Sequence, residues 1–215
     1  MTAPRVLIAD DQAIIRTGLR SILEAHGIEV VAEASTGREA VTLAQHLRPD
    51  VALLDIRMPD LDGLAATRLL AGPDVEHPIP VVVVTTFDLD EYVRTAIDNG
   101  ASGFILKDAG PALLAEAVRA AIAGDALISP SITVRYLRHF ATTPTRADST
   151  VALSSREIEI VRSIARGLSN NEIAAEHFIS VSTVKSHVAN IQAKLNVRNR
   201  VEVAGWAWST GLQRS

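Results

Sequence analysis

Five residues of this chain stand where short apolar runs stop. Asp10 and Asp11 follow Val6–Ala9, and Asp55 follows Val51–Leu54. Thr85 follows the run from Pro80 to Val84, and Lys107 follows Gly103–Leu106. Three carboxylates in one place repel unless a cation joins them. Hard oxygen donors without His or Cys suit Mg²⁺, which takes one or two carboxylates plus water and phosphate oxygens. A hydroxyl and an ammonium facing a metal-bound carboxylate make a site for a phosphoryl group. Mg²⁺ and Lys107 would neutralise its oxygens, Thr85 would donate a hydrogen bond, and Asp55 would be the nucleophile. The same residues have a structural use, because Asp after a strand also forms turns and caps helices, and a lone Lys there is ordinarily a solvated charge. Five suitable residues, all at strand ends, weigh toward the site.

The elements that must position them are legible. Apolar runs at Val6–Ala9, Val30–Ala34, Val51–Leu54, Pro80–Val84 and Gly103–Leu106 alternate with stretches of helical period. Ile14, Ile15, Leu19, Ile22 and Leu23 make one such stripe, and Leu113, Leu114, Ala117, Val118 and Ala121 another. Thr36 with Glu39 and Asp88 with Glu91 have the spacing of helix starts. Five β–α units predict a parallel five-stranded sheet with helices on both faces, and the apolar run Val81–Val84 fits a strand buried on both sides. In strand order 2-1-3-4-5, the first and third strands are neighbours. The acids then meet at the carboxyl edge, at the point where the strand order switches and such sheets hold ligands.

Length and composition agree with two domains. The chain has 215 residues, 47% of them hydrophobic and 21% charged, and no cysteine. A disulfide framework, a thiolate metal site and a cysteine nucleophile are therefore excluded. No run approaches a membrane span or a signal-peptide core, which predicts a soluble, cytoplasmic protein without a membrane partner. The net charge of −4 is unevenly spread. Residues 1–123 hold ten Lys+Arg against eighteen Asp+Glu, a formal −8, whereas residues 150–215 hold eight against five, a formal +3. The expected division is a domain over 1–123, a linker over 124–150 and a second domain over 151–215. The linker carries Pro130, Pro144 and a Ser/Thr/Asp cluster, with apolar positions from Ile132 to Phe140 that leave room for a short helix.

Beyond Leu153 the pattern is purely helical. Ser154 precedes Glu157 by three, and Ser169 precedes Glu172 by three, each flanked by the apolar pair of a hydrophobic staple. Ser180 starts a third helix and Asn199 with Glu202 a fourth. Asn170–Glu176, a turn from His177 to Ser180, and Val181–Leu195 read as helix, turn, helix. The long helix turns Val184, Val188 and Ile191 inward. It leaves Ser182, Thr183, Lys185, Ser186, His187, Ala189, Asn190 and Lys194 on its other faces. Cations and small polar groups suit a major groove, although a solvated structural helix has the same pattern. The last helix carries Val201, Ala204, Gly205, Trp208 and Leu212 on one face, with Trp208 expected in the core, and Val203, Trp206 and Thr210 on another, where Trp206 serves a dimer contact or lies under the linker.

At this point two resemblances carry further. Asp10-Asp11, LLDIRMPDLDG (Leu53–Gly63), VVVVTTFD (Val81–Asp88) and GASGFILKD (Gly100–Asp108) resemble the receiver domain of two-component systems over about residues 5–123. Leu153–Ala204 resembles the LuxR-type helix-turn-helix domain, carried by Gly167-Leu168-Ser169, Asn171-Glu172-Ile173-Ala174, Ser180, Thr183-Val184-Lys185, His187 and Lys194-Leu195. Ser155 departs from the Pro often found there, a small loss of preorganisation. Together these are similar to a response regulator of the NarL/FixJ type. The expected fold is a flavodoxin-like (βα)₅ receiver followed by a small all-α four-helix domain.

The resemblance implies site roles. Asp55 would be the phosphoacceptor. Mg²⁺ would be held by Asp11, Asp55 and the main-chain carbonyl of Arg57, with Asp10 assisting. Thr85 and Phe104 would be the switch pair, the threonine moving toward the phosphoryl group and the ring turning inward. Thr183, Lys185, His187 and Lys194 would contact DNA, and Ser186 and Ala189, on the same face, would tune the sequence read. His187 has a second use, packing against the scaffold helix. The implied partners are a sensor histidine kinase, double-stranded promoter DNA, RNA polymerase, and a second copy of the chain on phosphorylation. The chain would then be no enzyme beyond catalysing its own aspartyl phosphorylation and dephosphorylation. A Mg²⁺ phosphatase or phosphotransferase is the rival, but it would want an acid two residues after the nucleophile, where Arg57 stands. A regulator acting without phosphorylation would have lost part of the acid–Thr–Lys set, which is complete here.

Overall fold

The computed structural model describes residues 3–86, 90–125, 127–128, 153–197 and 199–212. The expected Asp88 cap and the short helix within 132–140 lie outside these residues.

The N-terminal half alternates strand and helix as its apolar pattern requires. In chain order it runs β1 (Arg5–Ala9), α1 (Ala13–Ala25), β2 (Glu29–Ala34), α2 (Gly37–Leu47), β3 (Val51–Leu54) and α3 (Gly63–Ala71). It continues through β4 (Val81–Thr85), α4 (Asp90–Asp98), β5 (Gly103–Leu106), α5 (Pro111–Ala123) and β6 (Leu127–Ile128). Every pairing is parallel, in the order β2-β1-β3-β4-β5-β6. The five predicted strands are all present. The sixth, two residues long, pairs with β5 from within the stretch expected as linker. So short a strand in Pro- and Ser-rich surroundings leaves no periodicity to read.

Successive residues of the strands feed opposite faces, and both faces are dry. Leu7, Leu54, Val81, Val83 and Phe104 share one core with α2, α3 and α4. Val6, Ile8, Leu53, Val82, Val84 and Ile105 share the other with α1 and α5. This is why the central strands read as continuous apolar runs. Local signals set the helix ends. Thr36 Oγ1 accepts from Glu39 N at 3.2 Å to start α2, Asp62 Oδ1 accepts from Ala65 N at 2.7 Å to start α3, and Pro111 opens α5. Gly124, with φ 77°, closes α5 in the left-handed region that glycine enters without strain.

Among the described residues the C-terminal half has four helices: α6 (Ser155–Ala165), α7 (Asn170–His177), α8 (Val181–Leu195) and α9 (Arg200–Ser209). Both expected capping boxes form, Ser154 with Glu157 and Ser169 with Glu172. Ser180 caps α8 through Thr183 N, and Asn199 caps α9 through Glu202 N. The core joins Ile160, Val161 and Ile164 to Ile173, Val184, Val188, Ile191, Val203 and Ala207.

The tryptophans reverse the expectation. Trp206 packs against this core, while Trp208 is 44% exposed, with only its Nε1–H donating to Ala165 O at 3.3 Å. The helix is rotated so that Val203 and Ala207 are fully buried, which brings Trp206 against the core. Val201, placed with Trp208 by period alone, instead packs against the receiver's core.

The halves therefore touch, and the contact is mostly polar. Asn170, Asn199 and Arg200 of the helical domain are 2%, 7% and 8% exposed and meet the ends of α4 and α5. α8 faces a cleft of about 330 Å³ whose far wall is Pro78, Ile79 and Pro80, ahead of β4.

Candidate phosphoryl site and helix-turn-helix face

The acids meet because β1 and β3 are hydrogen-bonded neighbours in register, Ala9 opposite Leu54. The next residue of each strand is the acid. Asp10 and Asp55 are 1% and 5% exposed and Asp11 is exposed, with one oxygen of each within 4.8 Å of the others. Main-chain hydrogen bonds fix their depth, since Asp10 N donates to Ala34 O at 3.1 Å and Asp55 N to Ala9 O at 2.8 Å. Thr85 and Leu106 pair across β4 and β5, so Lys107 leaves its strand beside Thr85. Its N–H donates to Thr85 O at 2.9 Å. The Lys107 ammonium lies 2.5 Å from Asp10 Oδ2 and 3.3 Å from Asp55 Oδ1.

Charge at this site is unbalanced. Burial pushes the Asp55 carboxyl above its ordinary range, Lys107 pulls it down, and Asp10 pushes it up again. Asp10 Oδ2 and Asp55 Oδ1 are buried without an aligned hydrogen bond, so Lys107 meets them as a charge. Two buried carboxylates share one ammonium, and a third stands beside them at the rim. Such a donor set fits a hard divalent cation, which would supply the missing positive charge and oxygen coordination.

A glycine the sequence motif contained but the spacing argument did not use shapes the pocket. A Cβ on Gly63 would sit 1.9 Å from the Asp55 carbonyl oxygen. Only a residue without a side chain lets α3 start so close, with Gly63 N donating to Ile56 O at 2.8 Å.

The expected switch pair is deeply placed, Thr85 at 0% and Phe104 at 1% exposed. The ring already lies inward in the core beneath α4, so the expected inward turn has no outward starting point in this conformation. The Arg57 side chain runs along the surface toward α4, with its NH2 3.5 Å from Tyr92 Oη.

On α8 the expected inner residues are buried, Val184 at 0%, Val188 at 6% and Ile191 at 0%. Thr183 and His187 are half-buried, and Lys185, Ser186 and Ala189 are exposed. Thr183 Oγ1 lies 2.8 Å from Ser180 Oγ, and Ser186 Oγ donates to Ser182 O at 3.1 Å. Lys185 and Ala189 also line the cleft against the receiver. Lys194 sits apart from this group. Its ammonium donates to Glu157 Oε2 at 2.7 Å, which, with the Ser154 backbone N–H, holds that carboxyl down at about 2. No spacing or motif marks Asp125, Asn170, Asn199 and Arg200 as the residues that join the domains. They stand at helix ends, where polar residues are common for local reasons alone.

Comparisons agree with this geometry. Residues 6–119 match the response regulator receiver domain family, and residues 151–207 match the bacterial regulatory proteins of the luxR family. The chain is 39% identical over 204 residues to the transcriptional regulatory protein LiaR of Bacillus subtilis, covering 94% of this chain and 96% of LiaR. It is 36% identical over 214 residues to the response regulator protein VraR of Staphylococcus epidermidis, covering 98% and 99%. Among solved structures it is similar to the response regulator ChrA of a heme-sensing two-component system. That match has 38% identity and a TM-score of 0.54, and covers 99% of this chain and 100% of ChrA. The chain thus belongs to the two-component response regulators, as a receiver domain followed by a LuxR-type helix-turn-helix DNA-binding domain that regulates transcription.

Proposed function

We propose that Asp55 takes a phosphoryl group from a phosphohistidine of a sensor kinase, and that this charge change controls DNA binding by the helical domain. The observation that carries the reading is the Asp10–Asp11–Asp55 cluster with Lys107 aimed into it. In the transfer, the phosphorus–nitrogen bond to the kinase histidine breaks and a phosphorus–oxygen bond to Asp55 forms. Asp11, Asp55 and the Arg57 main-chain carbonyl would hold Mg²⁺, with Asp10 assisting, and the ion would supply positive charge to the phosphoryl oxygens. Lys107 would move from the carboxylates to a phosphoryl oxygen, and Thr85 would donate its hydroxyl hydrogen to another. Burial keeps bulk water from the acyl phosphate, and the chain needs no catalysis beyond forming and hydrolysing it. The domains we assign are 1–123 and 151–215, with 124–150 between them.

Thr183, Lys185 and His187 are the proposed DNA contacts, with Ser186 and Ala189 tuning the sequence read. Lys194 keeps at most a secondary part, since Glu157 holds its ammonium. One four-helix unit reads only a few base pairs, so useful specificity calls for a phosphorylation-dependent dimer on paired half-sites about 10 base pairs apart. The setting is the cytoplasm, with promoter DNA and RNA polymerase as partners. Among the described residues no helix is long and apolar enough to cross a membrane.

Sedimentation of the whole chain with Mg²⁺, with and without beryllofluoride, tests the switch, and site selection from random duplex DNA tests the readout. A shift to dimer and selection of an inverted repeat are expected. A chain that stays monomeric and selects one asymmetric site would overturn the dimer.

A further inference from the structure

Asp11 is the exposed acid of the cluster, and among the described residues its side chain makes no hydrogen bond or ion pair. Asp10 beside it is pinned at every polar atom. Its N–H donates to Ala34 O at 3.1 Å, its Oδ1 accepts from Gln12 N at 3.0 Å, and its Oδ2 faces the Lys107 ammonium. Its remaining polar atom, the carbonyl oxygen, accepts from Arg16 Nη1 at 2.7 Å. That carbonyl belongs to the peptide that joins Asp10 to Asp11. Because a peptide is planar, whatever aims its C=O also aims the Asp11 N–H and places the Asp11 Cα. Arg16 reaches it from near the start of α1, with its side chain 18% exposed. The other edge of the guanidinium is braced. Its Nε donates to Glu33 Oε2 at 3.3 Å, and Arg20 Nε holds the opposite oxygen of Glu33 at 2.6 Å. Hydrogen bonds from Arg20 and then Arg16 keep the Glu33 carboxyl below its ordinary range, so the brace is charged at neutral pH.

We propose that Arg16 is a positioning residue for the divalent cation: by holding the Asp10–Asp11 peptide, it keeps the unanchored Asp11 carboxylate beside Asp55. The proposal rests on the metal and phosphoryl reading above. Charge and position make opposite demands on this arginine. A guanidinium one peptide away from the acids repels a divalent cation, so on charge alone its removal would tighten metal binding. On position alone its removal frees the peptide, and a ligand that must be ordered on binding costs conformational entropy. Position should win for two reasons. Glu33 already offsets part of the arginine charge, and Mg²⁺ demands near-ideal octahedral geometry, so a displaced ligand is felt strongly. A third use, tying α1 to β2 through Glu33, would affect stability and leave metal affinity alone.

Arg16→Met and Arg16→Lys in the whole chain test this. Methionine keeps much of the packing and loses both the charge and the donors. Lysine keeps the charge but cannot serve the carbonyl and Glu33 together as the guanidinium fork does. Circular dichroism melting in chelator reads stability, and calorimetric titration with Mg²⁺ alone reads affinity. Labelling by acetyl phosphate at rising Mg²⁺ separates half-saturation from the plateau rate. Arg16→Met should bind Mg²⁺ about tenfold more weakly, the lower end for loss of a residue that orients a metal ligand. Its half-saturation should move by the same factor and its plateau rate by far less, with Arg16→Lys between it and the parent. A folded Arg16→Met with parental affinity would overturn the proposal and leave a structural tie. Tighter binding would overturn it in favour of charge. Should Arg16→Met not fold, Arg16→Lys decides, since its charge is the parent's: weaker binding supports positioning, and parental affinity overturns it. A parent that itself binds no Mg²⁺ would overturn the metal reading, and the proposal with it.

Discussion

The two working surfaces of this regulator are built in opposite ways. At the proposed phosphoryl site Asp10, Asp55, Thr85 and Lys107 each occupy a strand end, and the sheet register leaves them little freedom. The first three are nearly inaccessible, so the site depends on local elements whose spacing is set by the chain itself. On α8 the residues proposed to read DNA are exposed or half-exposed, and two of them face a cleft toward the other domain. Their chemistry is local, but their availability depends on where a second domain sits. Buried chemistry is thus fixed by a short stretch of fold, whereas the surroundings of a recognition face depend on a neighbouring domain.

The largest effect should come from crowding the rigid site. Gly63→Ala puts a Cβ against the Asp55 carbonyl, so the start of α3 must shift. We expect a loss of roughly 3 kcal/mol in denaturant unfolding of the receiver, together with slower phosphorylation. Wild-type stability with a wild-type rate would mean the loop is softer than the comparison holds.

Next comes the exposed surface. Lys185→Ala should leave the fold intact and weaken DNA binding. With a phosphate partner, the slope of log affinity against log salt should fall by about one unit. With a guanine edge, discrimination at one base should weaken by about 1–3 kcal/mol. Unchanged binding in both respects would remove Lys185 from the interface.

Lys194→Met sharpens the distinction, because this lysine belongs to the fold. It should lower the stability of the helical domain by about 1 kcal/mol in thermal unfolding, and leave the DNA salt slope unchanged. The pH dependence follows from the same pair. Glu157 is held at about 2, below its ordinary 4.5, so its contribution is complete above 4.5 and is lost as pH falls toward about 2. The variant should show a shallower loss of stability across that window. An unaltered profile would contradict the pairing.

The smallest effect expected is a gain. Burial raises the Asp55 carboxyl, so its ionised form opposes folding at neutral pH in the metal-free chain. That penalty appears as pH rises through the ordinary carboxylate range and beyond. Asp55→Asn removes it while leaving Asp10 paired with Lys107. A gain of about 1 kcal/mol, or about 2–4 °C in melting temperature, is expected in chelator. Added Mg²⁺ should stabilise the parent more than the variant. A variant less stable than the parent at neutral pH without metal would contradict the charge imbalance.

The meeting of Asp10, Asp11, Asp55, Thr85 and Lys107 is legible because strands announce themselves by composition and place the following residue at the sheet edge. The helix starts were legible for a similar reason, each cap being a local pair such as Ser154 with Glu157. What escaped depended on partners distant in sequence. The face of α9 was misjudged because Val201 packs on the receiver, a contact no helical period contains. Lys194 has the spacing of a groove residue, and its pairing with Glu157, 37 positions away, leaves no mark in that spacing. Asn170 and Asn199 looked like helix-start residues, and they are. Their second hydrogen bonds cross the domain boundary and leave no trace in spacing.

The most direct test of the account is to map the phosphoryl group itself. The whole chain and Asp55→Asn would be incubated with acetyl phosphate and Mg²⁺ and their peptides analysed by mass spectrometry. We expect one phosphoryl group on the parent, confined to the peptide containing Asp55 and lost in chelator, and none on the variant. A phosphoryl group carried by Asp55→Asn would contradict the central claim.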